Sequence, residues 1–136
     1  MTIQEMKIGD SASTVKTIGE SDVYLFAGIT GDLNPAHTDE VSASQTPFGG
    51  RIAHGILSAG LISAVLGMRL PGPGTIYLGQ ELKFTKPVRF GDTVTATCTV
   101  SELLPEKNIA RLDTTCTNQN GDVVIKGMAT VMPPKE

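Results

Sequence analysis

Residues 54–68 read HGILSAGLISAVLGM, from His54 to Met68, and this stretch decides the fold. Apolar or small side chains fill nearly every position, so the pattern predicts a helix that other elements enclose on most sides. A proline- and glycine-rich run at 71–74 follows and ends the helix. Because His54, serines and glycines interrupt the apolar stretch, it is not expected to span a membrane.

Five strands are predicted around this helix, one before it and four after it. Alternating apolar and polar residues place them at 12–18, 75–88, 93–103, 109–117 and 123–132. Asn120-Gly121, between the last two, is a strong hairpin signal. Consecutive antiparallel strands beside a central helix indicate an α+β protein of the hot-dog arrangement, in which an antiparallel sheet of about five strands wraps around one central helix.

The length of 136 residues is that of one domain, so residues 1–136 are expected to form a single unit. Its sheet would have exposed edge strands, which proteins tend to pair or cover, and we therefore expect a homodimer joined edge to edge. Two shorter helices are predicted. One covers 22–29, with Ser21 as its N-cap and Gly31 as a left-handed stop, and the other covers 41–46.

The composition disfavours several classes of partner. The net charge is −3, aromatic residues make up 4% and there is no Trp, whereas a nucleic-acid binder should show a basic excess and several stacking rings. Residues 1–10 are polar and lack the apolar core of a signal peptide, so a cytoplasmic location is expected. Cys98 and Cys116 form no CxxC pair and are expected to be reduced, buried thiols.

The densest cluster of unusual residues spans 26–39 and contains Gly31-Asp32-Leu33-Asn34-Pro35-Ala36-His37. A helix ends at Gly31, Asp32 emerges on a turn, and the rigid Asn34-Pro35 unit returns the chain so that His37 can face Asp32. A carboxylate and an imidazole can then converge on one water. Addition of water to a conjugated double bond needs a base and a second group that orients the water or donates a proton.

The segment resembles the signature of the MaoC-like, R-specific enoyl-CoA hydratases, also called the hydratase 2 family. That signature has an aromatic residue, small residues, Gly-Asp-x-Asn-Pro-x-His, and a small residue further on. The residues that fit it are Phe26, Gly31, Asp32, Asn34, Pro35, His37 and Ala43. Two later segments, 48–55 and 86–93, resemble the family's entry into the central helix and its strand-turn-strand unit, so the similarity spans most of the chain.

The resemblance implies syn addition of water to a trans-2-enoyl-CoA, giving an (R)-3-hydroxyacyl-CoA, or the reverse dehydration. It implies that Asp32 and His37 hold the water, with Asp32 as the base, and that the Gly55 N–H meets the thioester oxygen. It places Asn34 as a brace of the turn and Ser63 as a polar residue near the site. No cofactor or metal is implied, since coenzyme A, or an acyl carrier protein, is part of the substrate. Fatty acid metabolism and supply of polyhydroxyalkanoate precursors are the expected settings.

Other interpretations of these residues remain open. A hot-dog acyl-CoA thioesterase or a non-catalytic acyl-thioester-binding domain would share the fold. His54 is expected to make a structural hydrogen bond, and no metal-ligand spacing supports a zinc site. Ser58 lacks the full nucleophile-elbow motif and is predicted to be an ordinary helix residue. Four basic residues either form a solvated strand face or meet the phosphates of coenzyme A: Lys83, Lys86, Arg89 and Lys126.

Overall fold

The apolar stretch forms the central helix, and one antiparallel sheet of five strands packs against it. The computed structural model describes residues 1–136. The strands are β1 (Ser11–Thr17), β2 (Ile76–Phe84), β3 (Thr93–Leu104), β4 (Ile109–Thr117) and β5 (Val123–Met132). The helices are α1 (Glu20–Thr30), α2 (Pro35–Thr38), α3 (Glu40–Ser44) and α4 (Gly55–Met68), with a 3-10 turn at Pro105–Lys107.

The strand order is β1-β3-β4-β5-β2, and every neighbouring pair is antiparallel. Buried and partly exposed residues alternate strictly along the first part of β3, whose buried face meets α4. From α4, Ile62, Val65 and Leu66 are almost fully buried in the same apolar core. The predicted α+β hot-dog arrangement is confirmed, and the edge strands of the sheet are β1 and β2.

The beginning of α1 differs from the prediction. The helix starts at Glu20 with Gly19 as its N-cap, so Ser21 lies inside the first turn and the N-cap predicted there is wrong. The cause is the carboxylate of Asp22, which accepts the Gly19 N–H at 2.9 Å and satisfies a group that a serine cap would not reach. The C-terminal end of α1 is as expected, because Gly31 ends the helix in the left-handed conformation with φ at 79°.

Two further boundaries differ. β2 ends at Phe84 rather than at residue 88, since Pro87 has no N–H for the ladder and restricts Lys86 before it. The helix expected at 41–46 begins earlier as α3, because the Asp39 side chain caps it by accepting the N–H groups of Val41 and Ser42 at 3.0 and 3.2 Å. Proline at the start of α2 initiates a separate turn of helix before it.

Other local predictions are confirmed. Gly121 takes φ of 80° in the turn between β4 and β5, where the Asn118 side chain accepts two backbone N–H groups. Cys98 and Cys116 are free and buried. None of the helices combines the length and the apolar composition that crossing a membrane requires.

Candidate active site

The turn after α1 presents Asp32 at the edge of the core. Gly31 adopts the left-handed conformation and donates its N–H to the Ala27 carbonyl at 2.9 Å. The Thr30 hydroxyl accepts the Asp32 N–H at 3.1 Å, which fixes the direction of the chain as it leaves the helix. The Asp32 side chain is about half exposed, with a relative exposure of 49%. A short helix stop followed by an Asx-type turn therefore places this carboxylate.

Asn34 stabilises the turn through hydrogen bonds to the residues on both sides of it. Its N–H donates to Asp32 Oδ1 at 3.3 Å, and its side-chain Oδ1 accepts the Ala36 N–H at 3.0 Å as the N-cap of α2. Pro35 follows in the first position of that helix, where its missing N–H costs nothing. The Asn34 side chain is thus engaged in the turn and does not line the pocket described below.

His37 is fixed by one hydrogen bond to a distant segment. Its Nδ1–H donates to the carbonyl of Ile52 at 2.7 Å. A carbonyl oxygen only accepts, so Nδ1 carries the proton and Nε2 of the neutral ring keeps its lone pair. The ring is therefore both oriented and set in one tautomer by the chain that leads into α4.

The buried His54 contacts both Asp32 and His37. It is the N-cap residue of α4, and only 2% of it is exposed. Its Nε2–H donates to the Asp32 carbonyl at 2.9 Å, so the structural hydrogen bond predicted for it is present. Its ring stacks on His37 with 3.9 Å between centroids and lies 4.7 Å from the Phe26 ring. The Nδ1 atom of His54 is buried without a partner.

The three side chains converge. Polar atoms of Asp32, His37 and His54 all lie within 4.8 Å of one another, and Asp32 Oδ2 is 4.0 Å from His54 Nε2. Besides the buried Nδ1 of His54, Asp32 Oδ2 and His37 Nε2 are the atoms of this cluster that have no hydrogen-bond partner within the protein. Since a water can bridge two acceptors at this spacing with ordinary hydrogen bonds, the pair is arranged to hold one water.

The same cluster is the set that could hold a metal ion, but its chemistry does not fit one. Each histidine uses one ring nitrogen as a donor to a backbone carbonyl. The remaining nitrogen of His54 is fully buried, and its ring stacks on the His37 ring with 3.9 Å between centroids and a tilt of 31°. A zinc site needs lone pairs that point to a common centre, which stacked rings do not provide. Absence of a metal stays a prediction.

Asp32 and His37 open into a pocket of about 490 Å³ whose other walls are mostly apolar. Those walls are contributed by the segment before α4, the start of α4, the end of β2 with the loop after it, and the start of β5. They include Phe48, Ile52, Ile56, Phe84, Val88 and Ile125. An apolar cavity with a few convergent polar groups is typical of a small-molecule binding site. The expected ligand is therefore apolar at the end that approaches Asp32.

Gly55 lies in the same pocket as the first residue of α4. Its N–H has no acceptor within the helix and carries part of the positive end of the helix dipole. A Cβ atom here would approach Phe84 Cδ1 to 2.6 Å, so the Phe84 ring packs directly on the Gly55 backbone. Phe84 is a pocket residue that the sequence does not identify, since alternation along β2 carries no information on contacts with α4.

The structure does not bring Ser63 to this pocket. Ser63 is exposed on α4, and its position eight residues after Gly55 separates the two by roughly 12 Å along the helix axis. Of the four basic residues considered above, Lys86 lines the pocket and pairs with Asp122 at 2.8 Å, which lowers the pKa of that carboxyl. Lys83 and Lys126 lie directly opposite each other on β2 and β5.

Comparison with known proteins agrees with this geometry. Residues 4–123 match the family model described as MaoC like domain. The chain is 63% identical to an (R)-specific enoyl-CoA hydratase of Rhodospirillum rubrum, covering 96% of this chain and 90% of that protein. It is 51% identical to a 3-hydroxybutyryl-CoA dehydratase of Methylorubrum extorquens, covering 98% and 84%. The unliganded R-hydratase PhaJ1 of Pseudomonas aeruginosa superposes with a TM-score of 0.94 at 47% identity, covering 99% of this chain and 86% of that one. With the family model matched over most of its length, the chain belongs to the MaoC-like domain family.

Proposed function

We propose that this protein is an (R)-specific enoyl-CoA hydratase, a hydro-lyase that adds water to a trans-2-enoyl-CoA and also catalyses the reverse dehydration. The observation that carries the proposal is the pair of free acceptor atoms, Asp32 Oδ2 and His37 Nε2, at the wall of an apolar pocket. The names of the similar proteins of R. rubrum and M. extorquens support the same reaction.

In the proposed mechanism, the carboxylate of Asp32 and the Nε2 atom of His37 each accept one hydrogen of the bound water. Asp32 takes its proton as the water oxygen bonds to C3 of the enoyl group. The protonated carboxyl then returns that proton to C2 on the same face, so that H and OH add syn and the carboxylate is regenerated. In this mechanism one carboxylate performs both transfers, which requires a bound substrate with C2 and C3 both beside it.

As water adds, negative charge develops on the thioester oxygen. The Gly55 N–H at the beginning of α4 is the group proposed to bind that oxygen, since it has no helical acceptor and faces the pocket. With a carboxylate, an imidazole and this N–H in place, the proposed reaction uses no cofactor other than the coenzyme A of its substrate.

We further propose that the protein is a homodimer that works in the cytoplasm on coenzyme A thioesters. The edge strand β2 exposes four large apolar or aromatic side chains, Ile76, Tyr77, Leu78 and Phe84, and α4 exposes Ile56 and Met68. The other edge strand, β1, exposes only Val15 among its large apolar residues. An apolar edge favours pairing through β2.

Loss of ultraviolet absorbance from crotonyl-CoA tests the proposed reaction, with octenoyl-CoA as a second substrate. Conjugation is lost on hydration, and chiral analysis of the product should show the R isomer. A free-thiol assay on the same mixture separates hydration from hydrolysis. Thiol release without a hydroxyacyl product would assign a thioesterase, and an S product would contradict the proposal. Acyl-carrier-protein versions of both substrates determine which carrier is accepted.

A further inference from the structure

Arg51 connects three separate elements that surround His37. Its Nε donates to Glu40 Oε2 at 2.9 Å, and its Nη2 donates to Glu20 Oε2 at 3.2 Å. Its Nη1 donates to the hydroxyl of Tyr24. Glu20 and Tyr24 belong to α1, Glu40 begins α3, and Arg51 itself lies in the segment that leads into α4. One side chain thus joins the elements on both sides of the catalytic turn.

The environment of this side chain is specific for arginine. The guanidinium lies over the Phe90 ring at 4.9 Å and over the Tyr24 ring at 5.8 Å, and 19% of the side chain is exposed. Hydrogen bonds from Arg51 keep the pKa of the Glu40 carboxyl below its usual value. A planar group with five N–H donors can contact two carboxylates, a hydroxyl and a ring face together, whereas the ammonium of lysine cannot.

These contacts reach His37 along two short routes. Ile52 directly follows Arg51, and its carbonyl is the acceptor for the Nδ1–H of His37. Tyr24, whose hydroxyl Arg51 binds, donates to the carbonyl of Thr38, the residue after His37. Arg51 therefore fixes the acceptor of the imidazole and the backbone that carries the imidazole.

We infer that Arg51 is a positioning residue for His37, which keeps the ring in the Nδ1–H form with Nε2 directed at the water. The kinetic part of this inference rests on the hydratase function proposed above. The tautomer part concerns the free protein and can be measured without any substrate. No contact places Arg51 in the pocket itself, so its effect on the reaction is indirect.

The test uses Arg51→Met, Arg51→Lys and, as a matched control, Arg111→Met. Arg111 is also an arginine that faces a carboxylate, at 4.0 Å from Glu102, but it lies on β4 away from the pocket. Nitrogen-15 NMR of the ring nitrogens is practicable because the chain has 2 histidines, and His37→Gln identifies the His37 signals by their loss. In the unaltered protein and in Arg111→Met, Nδ1 of His37 should be protonated and Nε2 not.

In Arg51→Met the nitrogen-15 chemical shifts of Nδ1 and Nε2 of His37 should move toward each other, as expected when the two tautomers exchange. We expect kcat on crotonyl-CoA to fall about 10- to 100-fold from the misplaced ring. KM should change little, because Arg51 does not touch the substrate. The His37 shifts and kcat of Arg51→Lys should lie between those of Arg51→Met and those of the unaltered protein. Wild-type NMR shifts together with wild-type kcat in Arg51→Met would overturn the inference.

Two milder variants keep the test decisive if Arg51→Met does not fold. Tyr24→Phe and Glu40→Gln each weaken one contact of Arg51 and leave the arginine in place. Both should move the His37 signals and kcat in the same direction by smaller amounts, and unchanged values in both would also overturn the inference. If the unaltered protein does not turn over any enoyl thioester, the proposed function fails, while the NMR comparison still decides whether Arg51 sets the state of His37.

Discussion

His54 stacks on His37 with 3.9 Å between ring centroids and 31° between ring planes. The same residue donates to the Asp32 carbonyl at 2.9 Å and is the N-cap of α4. Gly55 directly follows His54 in the chain. The buried His54 therefore contacts or adjoins all three groups with proposed roles: the Asp32 carboxylate, the His37 imidazole and the Gly55 N–H. A shift of the α4 terminus would therefore change the whole site at once.

Asp32→Asn and His37→Gln test the pair directly. Asparagine keeps the size of the side chain and can still accept the Asn34 N–H, but it is not a base at neutral pH. Each change should lower kcat on crotonyl-CoA about 100- to 10,000-fold, the range for removal of a general acid–base group. Circular dichroism and thermal unfolding should show the fold retained.

The control for these variants is Asp113→Asn, an exposed carboxylate on β4 outside the pocket. It should keep wild-type kcat. Turnover close to wild type in both Asp32→Asn and His37→Gln would show that the catalytic assignment is wrong.

His54→Phe separates stacking from hydrogen bonding. Phenylalanine preserves a ring against His37 but cannot donate to the Asp32 carbonyl, so the turn should become mobile. A lost hydrogen bond of about 1 kcal/mol predicts a decrease in kcat of about fivefold. The free energy of unfolding, measured in urea, should fall by about 1–3 kcal/mol, because the phenyl ring is larger than imidazole and the site is almost fully buried. An unchanged kcat would show that the bond from His54 does not position Asp32.

The conformation of the turn that carries Asp32 could be predicted from sequence because its determinants are local. Glycine favours the left-handed conformation at Gly31, and the residue before proline is biased to an extended backbone, as Asn34 shows with ψ of 128°. The acceptor of His37 could not be predicted, since Ile52 lies 15 residues away and its carbonyl carries no side-chain signal.

The pocket wall illustrates a second limit of the sequence argument. Alternation predicts a strand that includes Phe84, but the contact of its ring with Gly55 depends on how the strand is placed against α4. Ser63 was expected near the site but lies outside the pocket. Its place in α4 could be predicted, whereas the end of the helix that meets the pocket could not. Local conformation is encoded in short segments, whereas contacts between elements depend on the packing of the whole domain.

Gly55→Ala should impair catalysis more than stability. The new Cβ would approach the Phe84 ring to 2.6 Å, and since that ring is about half exposed it can move, toward the pocket that it lines. We expect kcat/KM on crotonyl-CoA to fall about tenfold or more, with a loss of stability of about 1 kcal/mol. Phe84→Ala in the same chain should restore part of the activity by removing the clash.

Gly28→Ala is the matched control for that experiment. Gly28 also lies in a helix, but nothing is within 4 Å of a Cβ placed there. Alanine should therefore raise the stability by roughly 0.5–1 kcal/mol and leave kcat/KM unchanged. Full activity in Gly55→Ala would show that the close packing at Gly55 is not needed for the reaction.

Leu78→Lys tests the proposed dimer edge. Leu78 is 50% exposed on β2, and a charge there opposes edge-to-edge pairing. Sedimentation should show a shift toward monomer at micromolar concentration, while Val15→Lys on the other edge should leave the dimer intact. The reverse result would place the interface on β1, and a wild-type protein that sediments as a monomer would refute the dimer.

Cys98 and Cys116 predict how stability depends on alkaline pH. Burial raises the pKa of the Cys98 thiol from 9.0 to about 12, with a smaller contribution from Cys116, and burial raises the pKa of Cys116 to about 11. The Cys116 thiol also lies 3.8 Å from the Ser58 carbonyl, to which only the protonated form can donate. Because the folded pKa values exceed the unfolded ones, the stabilisation is complete below pH 9, where neither state ionises. It is lost as pH rises from 9 to about 11 for Cys116 and to about 12 for Cys98, because the unfolded thiols ionise first.

Each thiol should therefore add up to about 1.4 kcal/mol per pH unit to the decline of the unfolding free energy in that window. Urea titrations at several pH values give the unfolding free energy. It should decline less steeply with pH in the double variant, which carries both Cys98→Ala and Cys116→Ala, than in the unaltered protein. The difference between the two slopes reports the thiols together with the smaller effect of Cys98 on the pKa of Tyr77. Identical slopes, or rapid reaction of the native protein with a thiol reagent at pH 8, would contradict the burial of these side chains as protonated thiols.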